Sequence, residues 1–185
     1  NFCDEYAIND RYIQGILNIT NPDYRMRDIE LIVRYYAFKY FINEYQGNLK
    51  AFLDNSVNML NRQWDERETE IKASAEAMDK GICAVNEIFG FNAFRKYKSG
   101  SFDNRFNRAI FDIMVYYFSF DNIRDVALKN KELVCEAFKE LSIHDNQFVA
   151  SFETSTKNVQ QTSYRFVQWG KKLRTILAID INLPQ

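Results

Sequence analysis

The chain has 185 residues and a mass of 22.0 kDa; 46% of them are hydrophobic, 16% aromatic and 26% charged, which excludes a disordered tail and suits one domain with a sizeable core. Lys and Arg number 24 against 25 Asp and Glu, so a net charge of −1 leaves no global basic field of the kind that makes a general polyanion binder. Six Gly and two Pro are too little punctuation for an all-β sandwich, which turns roughly every 8–12 residues, and long helices suit the chain better.

In chain order, Asn21-Pro22-Asp23 reads as a helix start, and Ile29, Ile32, Val33, Tyr36, Ala37 and Tyr40 form one apolar stripe ending before Gly47. A second helix is predicted from about Asn48 through Phe52, Leu53, Val57 and Leu60. A third, from about Asp65 to Phe89, has a polar first half and an apolar end, and Gly90 stops it. Lys96 to Asp103, with Ser99-Gly100-Ser101 inside it, reads as the longest loop. Phe106, Ile110, Ile113, Met114, Tyr117 and Phe118 then define a mostly buried helix. Shorter helices follow near Asn122–Lys129, Lys131–Leu141 and Asn146–Glu153. The final helix carries the stripe Val159, Phe166, Trp169, Leu173, Ile176 and Leu177 behind a capping-box candidate, Asn158 with Gln161. No segment alternates as a strand does. The expected architecture is all-α: one compact domain of about seven to nine helices over residues 1–185, with Phe106 to Phe120 at its centre.

Cys3, Cys83 and Cys135 are an odd number at wide spacing, which gives neither a disulfide framework nor a C-x-x-C motif and points to a reducing compartment. The most apolar run, Ile110 to Phe120, carries Asp112 and falls short of the roughly 20 residues that a spanning helix requires. A cytoplasmic protein without membrane partners is expected. The start at Asn1 rather than Met predicts a piece of something longer.

Much chemistry is excluded. His144 is the only histidine, so His-rich zinc sites and His-Asp phosphohydrolase centres lack their ligands, and the His144-Asp145 pair reads as surface or capping. Glu66 and Glu70 lie one turn apart, but a helical di-metal site also wants Glu-x-x-His; they read as a solvated face. No phosphate loop, dinucleotide fingerprint or nucleophile elbow occurs. No catalytic residue, metal ligand or cofactor is assigned to this chain.

Phe94 to Arg108 holds five cations, Arg95, Lys96, Lys98, Arg105 and Arg108, against one acid, Asp103, with aromatic residues between them. Residues 1–92 carry 10 basic and 15 acidic groups, whereas 93–185 carry 14 and 10, so positive charge collects in the second half. This stretch is the leading nucleic-acid candidate; alternatively Phe94, Phe102 and Phe106 anchor a loop whose cations are merely solvated.

The run Arg25-Met26-Arg27-Asp28-Ile29-Glu30-Leu31-Ile32-Val33-Arg34-Tyr35 resembles the R-M-x-D-x-E-L-x-x-R-[FY] stretch of bacterial GmrSD-type proteins, a former domain-of-unknown-function family with a ParB-like core. Later pieces agree in order: Tyr45-Gln46-Gly47-Asn48-Leu49-Lys50 with Phe52-Leu53, Phe89-Gly90 with Phe94-Arg95, Asn107 with Phe111, and Thr156, Arg165 and Trp169 in the pattern T-x(8)-R-x-x-x-W. The likeness spans roughly residues 20 to 175 and lies in the shared order of the motifs. It implies the helical half of a phage-defence or restriction protein whose N-terminal ParB-like domain carries Asp-Gly-Gln-Gln-Arg and acts as an NTPase or nuclease on foreign or modified DNA. This chain has no such pentapeptide, so activity is not carried over, and NTP belongs to the parent protein. The implied partners are the chain's own N-terminal domain, DNA and a second copy.

Within the matching residues, Glu30 and Arg34 stand one turn apart with the acid N-terminal, and Asp28 lies near a helix start where the dipole favours negative charge. Arg25, Arg27, Asp28, Glu30 and Arg34 therefore read either as a structural ion network or as a cleft-facing set that offers guanidinium to a phosphate. Thr156, Arg165, Gln168 and Lys172 likewise read as an anion-holding face near a helix N-terminus or as a capped amphipathic helix. The alternative function is a protein-interaction or oligomerisation module with no nucleic-acid role. With 16 Phe, 11 Tyr and 2 Trp, an uncovered apolar face lined by Phe2, Tyr6, Tyr12 and Tyr35 is expected.

Overall fold

The helical periodicity is realised in a computed structural model that describes residues 2–21, 23–153 and 158–185. Pro22 and Thr156 lie outside these residues. Among the described residues there are ten α-helices: α1 Phe2–Asn9, α2 Arg11–Leu17, α3 Arg27–Phe41, α4 Leu49–Arg62, α5 Trp64–Phe89, α6 Arg108–Phe118, α7 Asp121–Lys129, α8 Lys131–His144, α9 Asn146–Glu153 and α10 Val159–Leu177. The fold is all-α, with one helix more than the upper expectation because α1 and α2 are too short to show a period. The first broad stripe starts its helix at Arg27, after Met26 in a left-handed conformation, and not at Asn21. None of the described helices is long and apolar enough to cross a membrane.

The centre is α6, whose every residue from Ala109 to Val115 is buried, together with Tyr117 and Phe118. Asn107 starts it: its side chain accepts from the N–H groups of Ala109 and Ile110 at 2.9 and 3.1 Å, and its amide donates to the Phe152 carbonyl of α9. Around α6 lie α3, α5, α7, α9 and α10. Helix α5 approaches α6 closely at Gly81, where a Cβ would lie 3.2 Å from the backbone at Phe118 and Ser119, so a larger residue there would push the two helices apart by a few tenths of an ångström. Aromatic rings fill the remaining layers, with Phe166 of α10 5.0 Å from Phe38 and 5.2 Å from Tyr116.

The Lys96–Asp103 segment is not a loop. Arg95–Lys98 (β1) and Ser101–Phe106 (β2) pair antiparallel, with Tyr97 opposite Phe102 and Arg95 opposite Phe106. Ser99 at φ 52° and Gly100 at φ 84° supply the two left-handed residues a tight hairpin turn demands. The Tyr97 and Phe102 rings meet edge-on at 5.0 Å, a cross-strand contact that compensates for strands too short and polar to alternate visibly. The hairpin lies against α8 and α9.

The expected apolar face is mostly absent. Phe2 packs against Tyr6 and Trp64, Tyr6 is part-buried, and Tyr35 is buried within α3's inner face. Helix α1 itself closes this surface over α3, and only Tyr12 of the four stays exposed.

Candidate functional site

Two sets of cations separate in the structure, one buried and one open. Arg34 points inward from α3 and meets Asp112 of α6 with both arms of its fork, Nε to Oδ1 at 2.9 Å and Nη2 to Oδ2 at 2.5 Å. Burial opposes its charge, yet Asp112's charge and hydrogen bonds prevail and hold the Arg34 pKa above its ordinary value. Arg165 of α10 is the third member, equally buried, but its Nη2 stands 4.0 Å from Asp112, and its Nη1 donates to the Ser151 carbonyl at 3.3 Å. Burial, only partly offset by Asp112, pushes Arg165 down to about 10. Its Nε, Gln161 Oε1 and Trp169 Nε1, four residues apart on α10, are buried without hydrogen-bond partners. This also means that the reciprocal capping box is not made: Asn158 accepts from Gln160 N–H, while Gln161 does not return a bond.

The matching residues are thus mostly structural. Arg34 and Arg165 cannot present guanidinium across a cleft, because their side chains are 3% and 1% exposed. Arg27 pairs with Asp23, and Asp28 is buried, accepting from Asp23 N–H at 3.1 Å. Glu30 lies 3.6 Å from Arg34 and 3.4 Å from Arg108, so it takes up Arg108 from the basic stretch. Arg25 is exposed and sits over the Tyr24 ring.

The basic stretch is thinned further by α9. Lys98 and Lys96 approach Glu153 Oε1 at 2.8 and 3.3 Å, and Lys96 also lies 3.7 Å from Asp103. The lysine hydrogen bonds, Lys98 foremost, outweigh burial and hold Glu153 below its ordinary pKa. Lys172 is taken by Glu140 at 2.8 Å. Of the seven cations expected to bind phosphate, Arg95 and Arg105 alone are not buried and have no charged side-chain nitrogen within 4 Å of a carboxylate among the described residues, although the Arg105 backbone N–H donates to Asp103 Oδ1 at 3.1 Å.

Arg95 has company that the sequence did not announce. It lines a groove of about 560 Å³ with Arg11, Tyr12, Asn86, Phe91 and Asn104, where α2, the end of α5 and the hairpin converge. Among the described residues the Arg11 guanidinium makes no ion pair with a carboxylate either. Phe91 stands on the 3-10 turn Gly90–Asn92 with 96% of its surface exposed, although Phe89 and Phe94 on either side are buried. Gly90 at φ +55° makes that turn, and its carbonyl accepts from Ala93 N–H at 3.1 Å. A second cleft shares Arg11 and Tyr12 but is acidic: Asp79 and Asp10 line it, and each has one buried oxygen without a partner. Burial, reinforced by Asp10 and opposed by the Tyr6 hydrogen bond, pushes Asp79 up to about 6.

No protein-family model, curated protein or solved structure matches the chain. Among the described residues no three His, Cys, Asp or Glu side chains cluster as metal ligands. His144 is exposed, Asp145 accepts from the Tyr164 hydroxyl and Phe148 N–H, and Glu70 pairs with Arg67.

Proposed function

We propose that this chain is the non-catalytic helical part of a GmrSD-like protein and helps to position DNA or nucleotide for an N-terminal ParB-like domain. One observation carries the reading: Arg11 and Arg95 line a single open groove whose own lining holds no carboxylate. Like charges gathered without counter-charge favour an anionic ligand, and guanidinium forks fit phosphate oxygens. The order of the family motifs supports the wider setting, with Arg34, Asn107, Arg165 and Trp169 serving as the helical scaffold. A second reading, a docking surface for protein, is favoured by Tyr24 and Met26, which project at 89% and 64% exposure beside Arg25.

Titrating labelled DNA with the chain at rising salt tests the choice. The phosphate reading expects affinity to fall log-linearly with salt, and Arg11→Gln with Arg95→Gln to flatten the slope. Salt-insensitive association with a protein partner, abolished by Tyr24→Ser with Met26→Ser, favours the second reading.

A further inference from the structure

We infer that the groove between α2, the Gly90–Asn92 turn and the hairpin binds single-stranded nucleic acid, with Arg11 and Arg95 on successive phosphates and a base stacked on Phe91. The inference rests on the phosphate reading above and specifies its ligand.

Five features carry it. The groove is concave and about 560 Å³ in volume, room for roughly one or two nucleotides of one strand by comparison with ordinary ligand pockets. A duplex is reached by inserting a helix or ribbon into its groove, and the hairpin lies back on α8 and α9. Phe91 projects outward between buried Phe89 and Phe94, so its ring offers a free π face. Paired bases have no free face, whereas an unpaired base stacks on such a ring. Asn86 and Asn104 add amides able to donate and accept without charge. The adjoining cleft with Asp10 and Asp79 repels phosphate, which confines the strand to the hairpin side of Tyr12.

The test is fluorescence anisotropy of the 185-residue chain with labelled oligothymidine, oligouridine and a DNA duplex of equal length. Single strands are expected to bind at least about tenfold more tightly than the duplex, and the two single strands report whether the 2′-hydroxyl matters. Phe91→Ala is expected to weaken single-strand binding roughly tenfold at every salt concentration, since stacking is insensitive to ions. Phe91→Trp retains binding, and its fluorescence is quenched by the oligonucleotide. Each of Arg11→Gln and Arg95→Gln lowers the log–log salt slope by about 0.7. All three side chains reach solvent, so unchanged thermal melts of the four variants verify folding. If the duplex binds as well as single strands and Phe91→Ala has no effect while the arginine variants weaken binding, the inference fails and the phosphate reading stands. Binding indifferent to all three residues places the contact elsewhere and also overturns the inference. No salt-dependent binding of any of the three probes overturns both.

Discussion

Replacing Arg34 and Arg165 in turn by methionine distinguishes two buried arginines that look alike in sequence. Arg34→Met removes both donors from Asp112, a carboxylate whose side chain is 0% exposed. The nearest remaining cation, Arg165, is 4.0 Å away and makes no hydrogen bond to it. Stranding one partner of a buried pair costs about 3–5 kcal/mol. Arg165→Met removes a group held by one 3.3 Å hydrogen bond and carrying an orphaned Nε. An unmet buried donor costs about 1–3 kcal/mol, and methionine refills most of the volume of the stem, so this variant is expected within about 1 kcal/mol of the parent, or more stable. Urea unfolding followed by circular dichroism reads the difference. With a slope of about 2 kcal/mol per molar urea, the Arg34→Met midpoint falls by about 2 M while that of Arg165→Met barely moves. Adding Asp112→Leu to Arg34→Met should recover much of the loss, because the stranded charge is gone. Equal losses for the two single variants would refute the reasoning, since they would mean that Arg165 belongs to a fully compensated triad.

Other outcomes follow from particular contacts. At Gly170 a Cβ would overlap the buried Tyr117 hydroxyl, which donates to the Phe166 carbonyl at 2.7 Å; Gly170→Ala should cost about 3 kcal/mol and lower Tm by about 6–12 °C in calorimetry. Asp79 has its folded pKa raised from 3.8 to about 6, so between these values the folded state holds more protons than the unfolded one and stability falls as pH rises. Asp79→Asn should therefore stabilise at pH 8, by on the order of 1 kcal/mol after solvent screening, and the gain should vanish by about pH 4; a pH-independent gain would contradict the sign. Because Glu153 occupies Lys96 and Lys98, Lys96→Ala with Lys98→Ala should leave the salt slope for DNA unchanged. Glu153→Gln should free both and steepen it by about 0.7 for each lysine, and an unchanged slope would show that these cations do not face the ligand.

Local pattern made eight of the helices legible, from α3 to α10, because a long apolar stripe at helical spacing must be buried wherever the chain goes. Asp112 was visible too, as the one acid in the most apolar run, and a charge there demands a partner. Which partner it takes was not visible: Arg34 lies 78 positions away. Glu30 and Arg34 matched the helix-pair spacing, yet the better acid came from across the core. The composition of the basic stretch was legible but its pairing was not, since Glu153, 55 positions from Lys98, takes up Lys96 and Lys98 from α9. Ser99-Gly100 marked a turn, but only the meeting of Tyr97 with Phe102 made the flanks strands.

The sequence by itself therefore determined the helical class, the central helix and the residues that must be inside, because periodicity and side-chain hydrophobicity act over one or two turns. Tertiary structure decided which charges remain uncompensated and which aromatic ring stays outside. Arg11 and Arg95 share a groove, and Phe91 stands over it, only because α2, the α5 terminus and the hairpin converge there. Coulomb interactions and stacking act through space over a few ångströms, and separation along the chain carries no record of that distance.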